Sequence, residues 1–526
     1  MLVLSEKDKQ MPKNIVIFSD GTGQDGGVRA EQRWSNIYKM YRASRIAPET
    51  AIDPKEQVVF YDPGLGTEAS ATGWTNIGRQ VRKLLANVDG SGITINIADC
   101  YEFIINHYQA GDRIFLFGFS RGAYTVRSVA NLMMLCGIPT KNGDQPLPRF
   151  RRATRLIAEE AVTSVLEHGA GHPRATYEDE RLEMARRFRE KYGSHHPTGE
   201  THRSNAAPYF IGVFDTVAAL GAQGMLRWGI QAALYGGSVG LGALAGLVAG
   251  GLIGTASWLF GGPFWMMLAV GGLGGGVLGA LLLYRSQNRR IRKTITDHPK
   301  PGQSSSHLAQ WKGEHFDRLL SRFVSYARAA NAVDETRADF DRVSWGNTMH
   351  AAAEVDGVTR LDQQWFAGNH SDIGGSYAET ESRLSDIALQ WMIEQALSVP
   401  SPLKLGPVFV NGEPIPNCGT EGIPLYLRPD AGGLQHCEVA GGQDLVEARI
   451  PEWIRRRFGL SGWRVKIRDV KPDHKLHPSV LGRFALSEVP QCAGRGPYRP
   501  EALKNHPAVK QYYQQPTEPG TGMPPH

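Results

Sequence analysis

The amino-acid sequence predicts an α/β fold: an α/β-hydrolase-like, mostly parallel sheet with a helical cap insertion, a glycine-rich apolar helical hairpin and a C-terminal α+β extension. Three observations predict it. A G-x-S-x-G motif stands between a predicted strand and a predicted helix. Two later apolar strands run into an acidic residue and then a histidine, in the chain order that this fold uses. An early strand is followed directly by a small glycine-rich loop.

The candidate nucleophile is Ser120, at the centre of the motif Gly118-Phe-Ser-Arg-Gly122. The apolar run 113–117 before it predicts a buried strand, and the pattern of 123–136 after it predicts a helix. This order is typical of the nucleophile elbow, a turn so tight that both flanking positions are glycine. The turn leaves the backbone N–H of Arg121 facing the place of an oxyanion. The alternative is an ordinary strand–helix turn, since the chain contains 61 glycines.

Candidates for the acid and the base follow later strands. Asp215 comes directly after the apolar run 209–214, and His370 comes after 364–369, at the mouth of a glycine-rich loop. A serine nucleophile needs a base that an acid orients. Asp215 could instead cap a helix or turn. His370 and Asp372 could instead bind a metal, but no second cluster of convincing ligand spacing accompanies them, so we expect neither metal nor cofactor.

A second glycine-rich loop, Ser19-Asp-Gly-Thr-Gly23, follows the first predicted strand at 13–18. Such a loop after an early strand can present backbone N–H groups to an oxyanion. The alternative is a turn in which glycine supplies a positive φ. Asp20, Gly21 and Thr22 are therefore candidates for an oxyanion site together with Arg121.

Several segments of the chain form one ordered motif set. They are Phe18–Thr22, Tyr61–Thr67, Gly118–Tyr124, Gly212–Val217 and Trp365–Gly375. Together they resemble the catalytic-domain family of type VI secretion phospholipase effectors of the G-x-S-x-G class, which also includes many uncharacterised bacterial α/β-hydrolases. The resemblance runs from about Asn14 to about Ile393. The stretches around 140–205 and 225–320 match nothing in that family.

The resemblance implies roles for individual residues. Ser120 would be the nucleophile, Asp215 and His370 would complete a triad, and the loop 20–22 would lie beside the oxyanion site. The implied substrates are membrane glycerophospholipids, cleaved at an acyl ester by a phospholipase A-type reaction. The implied partners are membrane phospholipid and, beyond it, a secretion apparatus or an immunity protein. His477, in a segment similar to a later part of the family, is the next candidate for the base.

The composition excludes some classes of protein. The net charge of +6 and the pI near 8.9 suit anionic surfaces, but no nucleic-acid motif accompanies them, so we expect no nucleic-acid partner. Five scattered cysteines without a C-x-x-C pair predict a reducing compartment and no disulfide framework. The N-terminal residues 1–9 lack an apolar h-region. We therefore expect synthesis in a bacterial cytoplasm without a signal peptide, followed by membrane association or secretion into target cells.

Charge and turn patterns divide the chain into seven parts. They are the first half of the hydrolase core (12–140), a charged helical cap insertion over the active site (141–205), a core strand with the acid (206–224), an apolar hairpin (225–295), the second half of the core with the histidine loop (296–400), a C-terminal extension (401–512) and a disordered tail (513–526).

The apolar hairpin is the most unusual of these parts. Between Arg227 and Arg285 the chain contains no Asp, Glu, Lys or Arg. Its halves, 236–254 and 264–284, are each about the ~20 residues needed to cross a bilayer core. Small residues recur four apart, which lets helices pack closely in lipid, and tryptophans flank the central turn. We expect a transmembrane hairpin whose following arginines stay on the cytoplasmic side; the alternative is a buried apolar insertion or a lid.

Two classes of function compete on these observations. The first is a lipolytic serine hydrolase held at a membrane by the hairpin, with an antibacterial role implied by the family. The second is a membrane-inserting or pore-forming protein on a non-catalytic hydrolase scaffold. A narrower alternative is a soluble esterase or thioesterase with the same mechanism. The intact set of Ser120, Asp215 and His370 favours a hydrolase.

Overall fold

The fold was examined in a computed structural model of the chain. It describes residues 11–21, 33–47, 50–64, 91–217, 240, 244, 246–248, 250–309, 320–340, 342–345, 353–438, 465–491 and 494–514. The tail from 515 onward and the candidate residue Thr22 lie outside these residues.

A seven-stranded sheet forms the centre of the described part of the chain. Its strands are β1 (Asn14–Ser19), β2 (Gln57–Asp62), β3 (Arg113–Phe119), β4 (Phe210–Phe214), β5 (Tyr326–Ala332), β6 (Leu361–Phe366) and β7 (Lys475–Leu476). Their order across the sheet is β7-β6-β5-β4-β3-β1-β2, and every neighbouring pair is parallel. The α/β class and the mostly parallel sheet are therefore confirmed.

The strands are apolar on both faces because both faces are covered. In β1, Ile15 and Ile17 join one core cluster, while Val16 and Phe18 join another. Successive strand residues point to opposite faces, so the two clusters lie on opposite sides of the sheet. Continuous apolar runs of this kind are typical of parallel strands with helices on each face.

Helices cover the two faces of the sheet unequally. Besides a helical segment at 250–259, the helices in the described residues are α1 (Asn36–Ser44), α2 (Ser91–His107), α3 (Arg121–Cys136), α4 (Arg152–Glu160), α5 (Glu178–Tyr192), α6 (Phe264–Ile291), α7 (His370–Gly374), α8 (Arg383–Leu397), α9 (Pro478–Ala485) and α10 (Gln511–Gln514). Side chains of α2, α3, α4 and α5 join the first core cluster, and those of α1 and α8 join the second. The sheet is thus the middle layer of three.

Short elements complete the described structure. A π-helix spans Ala161–Leu166, and 3-10 turns span Arg174–Thr176, Ala338–Phe340, Glu379–Glu381 and Glu501–Leu503. Small strands pair outside the main sheet: Lys141–Asn142 with Gln145–Pro146, Arg292–Thr296 with Ser304–Leu308, Glu354–Val355 with Val358–Thr359, Val408–Val410 with Glu413–Pro414 and Leu425–Leu427, and Val489–Gln491 with Gly494–Gly496.

The insertion at 141–205 is helical, as its charge pattern predicts, but it makes contacts at one particular end of α3. The Arg189 guanidinium donates to the carbonyl of Leu135, and the Ser194 hydroxyl donates to that of Cys136. These carbonyls close the last turn of α3, about 22 Å along the helix from Ser120. The contacts of the insertion named here therefore lie at the end of α3 opposite the motif serine.

The C-terminal part of the chain is more closely joined to the core than an appended extension would be. Its segment Lys475–Leu476 is the edge strand β7 of the main sheet, paired with β6. Cys437 is disulfide-bonded, a single bond that the expectation of no disulfide framework did not foresee, whereas Cys100, Cys136 and Cys418 are free. The spacing of cysteines along the chain did not show which of them the fold brings together.

The apolar hairpin is present as two helical segments, residues 250–259 and α6, joined by a turn with Gly261 at φ 76°. Among the described residues, no helix has both the length and the apolar character that crossing a bilayer requires. The transmembrane prediction, and the sidedness deduced from it, are not supported. The many glycines of the segment contribute little apolar surface, and several instead form the contact between the two helices.

A glycine at the start of α3 tests the packing that positions this helix. A Cβ added at Gly122 would collide with the backbone of Ser19 and Asp20 at the end of β1. Alanine in a helix is otherwise favoured over glycine by about 0.8–1.0 kcal/mol. Gly122→Ala should therefore destabilise the protein where this substitution in a helix usually stabilises it. The free energy of unfolding should fall by about 1–3 kcal/mol, seen as a lower midpoint of unfolding.

The matched control is Gly496→Ala, because a Cβ at Gly496 meets nothing within 4 Å. That variant should unfold within a few tenths of a kcal/mol of the parent. Equal midpoints for the two variants would contradict the close approach of β1 and α3.

Candidate active site

The turn between β3 and α3 is strained, as a nucleophile elbow requires. Ser120 lies there with φ 58° and ψ −122°, a conformation that L side chains rarely adopt. Its N–H donates to the Phe214 carbonyl at the end of β4, at 3.1 Å. A Cβ at Gly118 would lie 2.6 Å from Ala123, so the turn leaves no room for a side chain there. The serine is thereby held at the carboxyl edge of the sheet.

The topology of the sheet makes this edge a crevice. β1 lies between β2 and β3, and from β3 onward the strands follow one another in chain order. The connections therefore run in opposite directions on either side of the β1–β3 pair, which is the topological switch point of the sheet. Ligands of open α/β sheets bind outside the carboxyl ends of the strands at such a point. The loops after β1 and β3, which carry Asp20 and Ser120, lie there.

His370 and Asp215 come together although 155 residues separate them. The Nδ1 atom of His370 is 2.6 Å from Oδ2 of Asp215, and both side chains are buried. The carboxylate accepts from Nδ1–H and so fixes the tautomer that leaves a lone pair on Nε2. Among the described residues, Nε2 is buried without a hydrogen-bond partner. It is available to accept a proton from a nearby hydroxyl.

Aromatic rings fix the plane of the His370 imidazole. Phe119, the residue before Ser120, lies with its ring centroid 4.6 Å from that of His370, and Phe340 meets it edge-on at 5.0 Å. The backbone N–H of His370 donates to Oε2 of Glu335 at 3.2 Å. Glu335 in turn accepts three hydrogen bonds from Arg337, one from its backbone N–H and two from its guanidinium. Because Phe119 adjoins Ser120, the same packing places the imidazole beside the elbow.

Asp215 is completely buried, and three groups compensate for its charge. The Arg468 guanidinium donates through Nη2 to Oδ2 at 2.9 Å, alongside His370, and the Ala332 N–H donates to Oδ1 at 3.1 Å. Burial by itself raises the pKa of Asp215. The charge of Arg468 and the bonds from His370 and Ala332 outweigh that effect and hold the pKa below its usual value. Asp215 is therefore an anion at neutral pH.

The loop after β1 lies next to Ser120. A Cβ added at Gly21 would be 3.4 Å from Cβ of Ser120. The Asp20 carboxylate is turned to accept from the hydroxyls of Ser35 and Tyr61, and burial raises its pKa to about 6. The Gly21 N–H donates to Asp20 Oδ1 at 2.7 Å, so it is already engaged. Asp20 thus anchors the loop rather than directing its own charge at Ser120.

Arg121 is the first residue of α3, so its N–H has no acceptor within the helix. In a nucleophile elbow, the N–H of the residue after the serine is one of the donors to an oxyanion. Thr22, the remaining candidate donor of the β1 loop, lies outside the described residues. The geometry therefore brings Arg121 and Gly21 close to Ser120 from two directions.

The two residues of the alternative assignments, Asp372 as a metal ligand and His477 as the base, have other partners in the structure. Asp372 accepts from the N–H of Asn369 in a capping box and from His436 Nδ1 at 2.7 Å, so its carboxylate does not point to His370. His477 is the N-cap of α9, where its Nδ1 accepts from the Ser479 N–H. Burial lowers the pKa of His477 to about 4.

One group of side chains could hold a metal ion. His168, Glu180 and His307 present ligand atoms within 4.8 Å of one another. However, His168 Nε2 already lies 2.7 Å from Glu180 Oε2. His307 Nε2 accepts from the Gly169 N–H, which places the proton of the neutral ring on Nδ1, the atom nearest Glu180. His168 and Glu180 are thus hydrogen-bonded to each other, whereas His307 Nδ1 lies 3.9 Å from Glu180 Oε2 and is buried without a hydrogen-bond partner among the described residues.

Sequence reasoning missed Arg468 and Glu335. Arg468 lies 253 residues from the carboxylate that it contacts, and no motif surrounds it. The only signal was indirect: a carboxylate at the end of a buried strand requires a partner, and the histidine alone does not fill all of its acceptor sites.

Comparison with known proteins identifies the family. The model for the catalytic domain of Tle1-like phospholipase effectors of the type VI secretion system (T6SS) matches residues 13–235 and 292–395, which is more than half of the chain. The chain belongs to this family. The predicted resemblance is therefore confirmed. The expectation that 140–205 and 225–320 lie outside it was wrong for 140–205, 225–235 and 292–320, because the match leaves out only 236–291 between its two parts.

Individual relatives are more distant. An uncharacterized protein of Saccharomyces cerevisiae is 30% identical over 134 residues, or 24% of this chain and 18% of that protein. A solved structure of an uncharacterized protein from Pseudomonas aeruginosa is 15% identical, covering 75% of this chain and 46% of that one, with a TM-score of 0.31. The Tle1 effector bound to the VgrG spike is 16% identical, covering 71% and 52%, with a TM-score of 0.25. The chain thus spans about half of each solved chain and under a fifth of the yeast protein.

Arg468 should control the protonation of Asp215. In Arg468→Met the burial of Asp215 is no longer compensated, so its pKa rises and the acid limb of kcat/KM on a soluble ester moves to higher pH. The parent should be stabilised above the pKa of an unfolded carboxyl, and that stabilisation is lost as pH falls through the lowered folded pKa. Arg468→Lys, which keeps a cation, should restore most of the parent pH profile.

Arg483→Met is the matched control for this prediction. Arg483 is a buried arginine that donates to the carbonyls of Ala431 and Gly433, and none of its hydrogen bonds within the described part of the chain goes to Asp215 or His370. Both methionine variants should lose stability, by about 3–5 kcal/mol where a buried charge pair is broken. An acid limb that moves equally in both would show that Arg468 acts only through folding.

Proposed function

We propose that the protein is a serine lipolytic hydrolase that cleaves acyl esters of membrane glycerophospholipids, with Ser120, His370 and Asp215 as its triad. The observation that carries the proposal is the buried His370–Asp215 pair, with a free Nε2, packed against the residue next to a strained serine. Membership of a phospholipase effector family supports the choice of a phospholipid ester as the substrate.

The arrangement suits acyl transfer in two steps. Ser120 Oγ attacks the ester carbonyl carbon while His370 Nε2 takes its proton, and Asp215 stabilises the resulting imidazolium. The carbonyl oxygen becomes an oxyanion, which the Arg121 N–H and the loop after β1 would stabilise. His370 then protonates the leaving alkoxide, which departs as a lysophospholipid. Water, activated by the same His370 Nε2, hydrolyses the acyl-serine and releases a fatty acid.

The biological setting follows from the family in the same way. We propose that the protein acts as an antibacterial effector delivered by a type VI secretion apparatus into target cells, where it meets phospholipid. A component of that apparatus would then be one partner, and a cognate immunity protein in the producing cell would be another.

Removal of the nucleophile should abolish turnover. Ser120→Ala should lower fatty-acid release from phospholipid vesicles by about 10³–10⁶-fold, because the covalent step is lost. The release is measured by mass spectrometry of the lipid products, which also identifies the acyl position cleaved. Binding of the variant to vesicles should match the parent. Unchanged release by Ser120→Ala would favour a non-catalytic hydrolase scaffold with another membrane activity.

The identity of the base can be tested with a pair of histidines. His370→Ala should lose turnover by a factor similar to that of Ser120→Ala, and combining the two should cost little more, because they act as one unit. His477→Asn keeps an N-cap acceptor for α9 and should retain most of the activity. The opposite result, loss in His477→Asn and near-normal turnover in His370→Ala, would reassign the base.

A further inference from the structure

The apolar hairpin is a feature that the triad does not use. It lies in the interval 236–291, which separates the two parts of the chain that match the family. It comprises the helical residues 246–248 and 250–259, the turn at 260–263, and α6. We refer to these residues as the hairpin, and to Trp258, Leu259, Phe260 and Trp265 as its tip.

Glycine backbones form the contact between the two helices of the hairpin. A Cβ added at Gly250 would lie 2.5 Å from the Gly272 nitrogen and 2.6 Å from the Leu268 carbonyl oxygen. A Cβ at Gly246 would collide with Gly272 and Gly276. The helices therefore meet backbone to backbone at these glycines, with the side chains of Ile253 and Phe264 packed against Gly271 and Gly254.

The outward side chains are apolar and exposed on both helices. More than half of the exposed large hydrophobic residues of the described chain lie between Leu244 and Leu282. At the tip, Phe260 is 91% and Trp265 is 77% exposed. Along the helices, Leu252 and Leu273 are 68% and 72% exposed. A helix that is apolar on all sides is found inside a large protein or in lipid, whereas a protein partner usually covers one face.

Charge is separated from this apolar surface. From Trp228 to Tyr284 the sequence contains no Asp, Glu, Lys or Arg. Exposed arginines then begin at the base of the hairpin, at Arg285, Arg289 and Arg292. Aromatic rings at one end and arginines at the other are the residues that favour the acyl boundary and the anionic headgroups of a phospholipid leaflet.

We propose that the hairpin docks the protein on an anionic phospholipid membrane, with its tip and apolar sides embedded obliquely in one leaflet and its basal arginines at the phosphate level. The occupant of this surface is therefore lipid. The apolar sides offer almost no polar groups to a protein partner, whose interface would carry roughly one hydrogen bond per 100–200 Å². Embedding in one leaflet requires no helix to cross the bilayer, in agreement with the helices described.

The inference rests on the proposed function only in the choice of lipid. The phospholipid that forms the membrane surface for docking would also be the substrate of the proposed reaction. Its test is a binding measurement on the Ser120→Ala protein, which leaves the vesicles intact. Failure of the proposed function would appear as absent ester turnover in the parent protein. Failure of the docking inference would appear as absent vesicle binding, whatever the turnover.

The experiment is flotation of full-length Ser120→Ala with vesicles of phosphatidylcholine containing phosphatidylglycerol. Adding Phe260→Ser and Trp265→Ser at the tip should weaken binding at least tenfold. The matched control adds Phe150→Ser and Ile423→Ser, two hydrophobic residues of similar exposure elsewhere, and should bind within twofold of the parent. Both proteins should hydrolyse a short water-soluble ester like the parent when Ser120 is restored.

The basal arginines are tested by charge. Replacing Arg285, Arg289 and Arg292 with glutamine should reduce binding to the anionic vesicles and its salt dependence, while binding to pure phosphatidylcholine changes little. Arg151→Gln, Arg152→Gln and Lys510→Gln remove the same charge from other exposed positions. That control should retain the preference for anionic vesicles.

Depth is measured with brominated lipids that quench tryptophan. If Trp258 and Trp265 are embedded, bromine atoms within the leaflet should quench part of the tryptophan emission of the parent protein. The double variant Trp258→Phe/Trp265→Phe keeps the tip apolar, so it should still float with the vesicles, but the quenched part of the emission should be absent. Three results would overturn the proposal: no flotation of the parent, equal flotation of the tip and control variants, or a dimer that the tip substitutions dissociate while no protein binds vesicles. The last would assign the surface to a second copy of the chain.

Discussion

A single buried carboxylate determines how the distant parts of this chain must meet. Asp215 has no exposed surface, and an isolated anion in that position would be strongly destabilising. It is compensated from three places: a backbone amide of β5, the imidazole that follows β6, and an arginine from the C-terminal region. The C-terminal region therefore contributes to the candidate site as well as supplying an edge strand of the sheet.

The same carboxylate helps to fix the orientation of the His370 imidazole. His370 is bonded to Asp215 on one nitrogen, packed between Phe119 and Phe340, and anchored through its backbone to Glu335. Such a ring cannot rotate without losing buried contacts or leaving a polar atom unpaired. Its second nitrogen is buried without a hydrogen-bond partner among the described residues, and the ring packs against Phe119, the residue before Ser120.

Glycine has two different uses in this molecule. At Gly118 and Gly122 it allows the elbow and α3 to approach the end of β1 so closely that no Cβ fits. In the hairpin it brings two helices together and leaves the apolar side chains on the outside. The first use constructs a reactive turn from a rigid sheet. The second produces an exposed apolar surface in the interval 236–291, which the family match leaves out.

Local patterns in the sequence determined the parallel α/β core, the elbow at Ser120, and the order of Asp215 and His370, because strand, tight turn and helix each have a short-range signature. Only the tertiary structure decided that Arg468 pairs with Asp215, that Asp20 anchors its loop through Ser35 and Tyr61, and that the hairpin helices pack glycine to glycine. The groups that compensate a buried charge are brought to it by long-range contacts, and no local sequence pattern between them predicts these contacts. The transmembrane prediction is not supported, because no helix among the described residues has both the length and the apolar character to cross a bilayer.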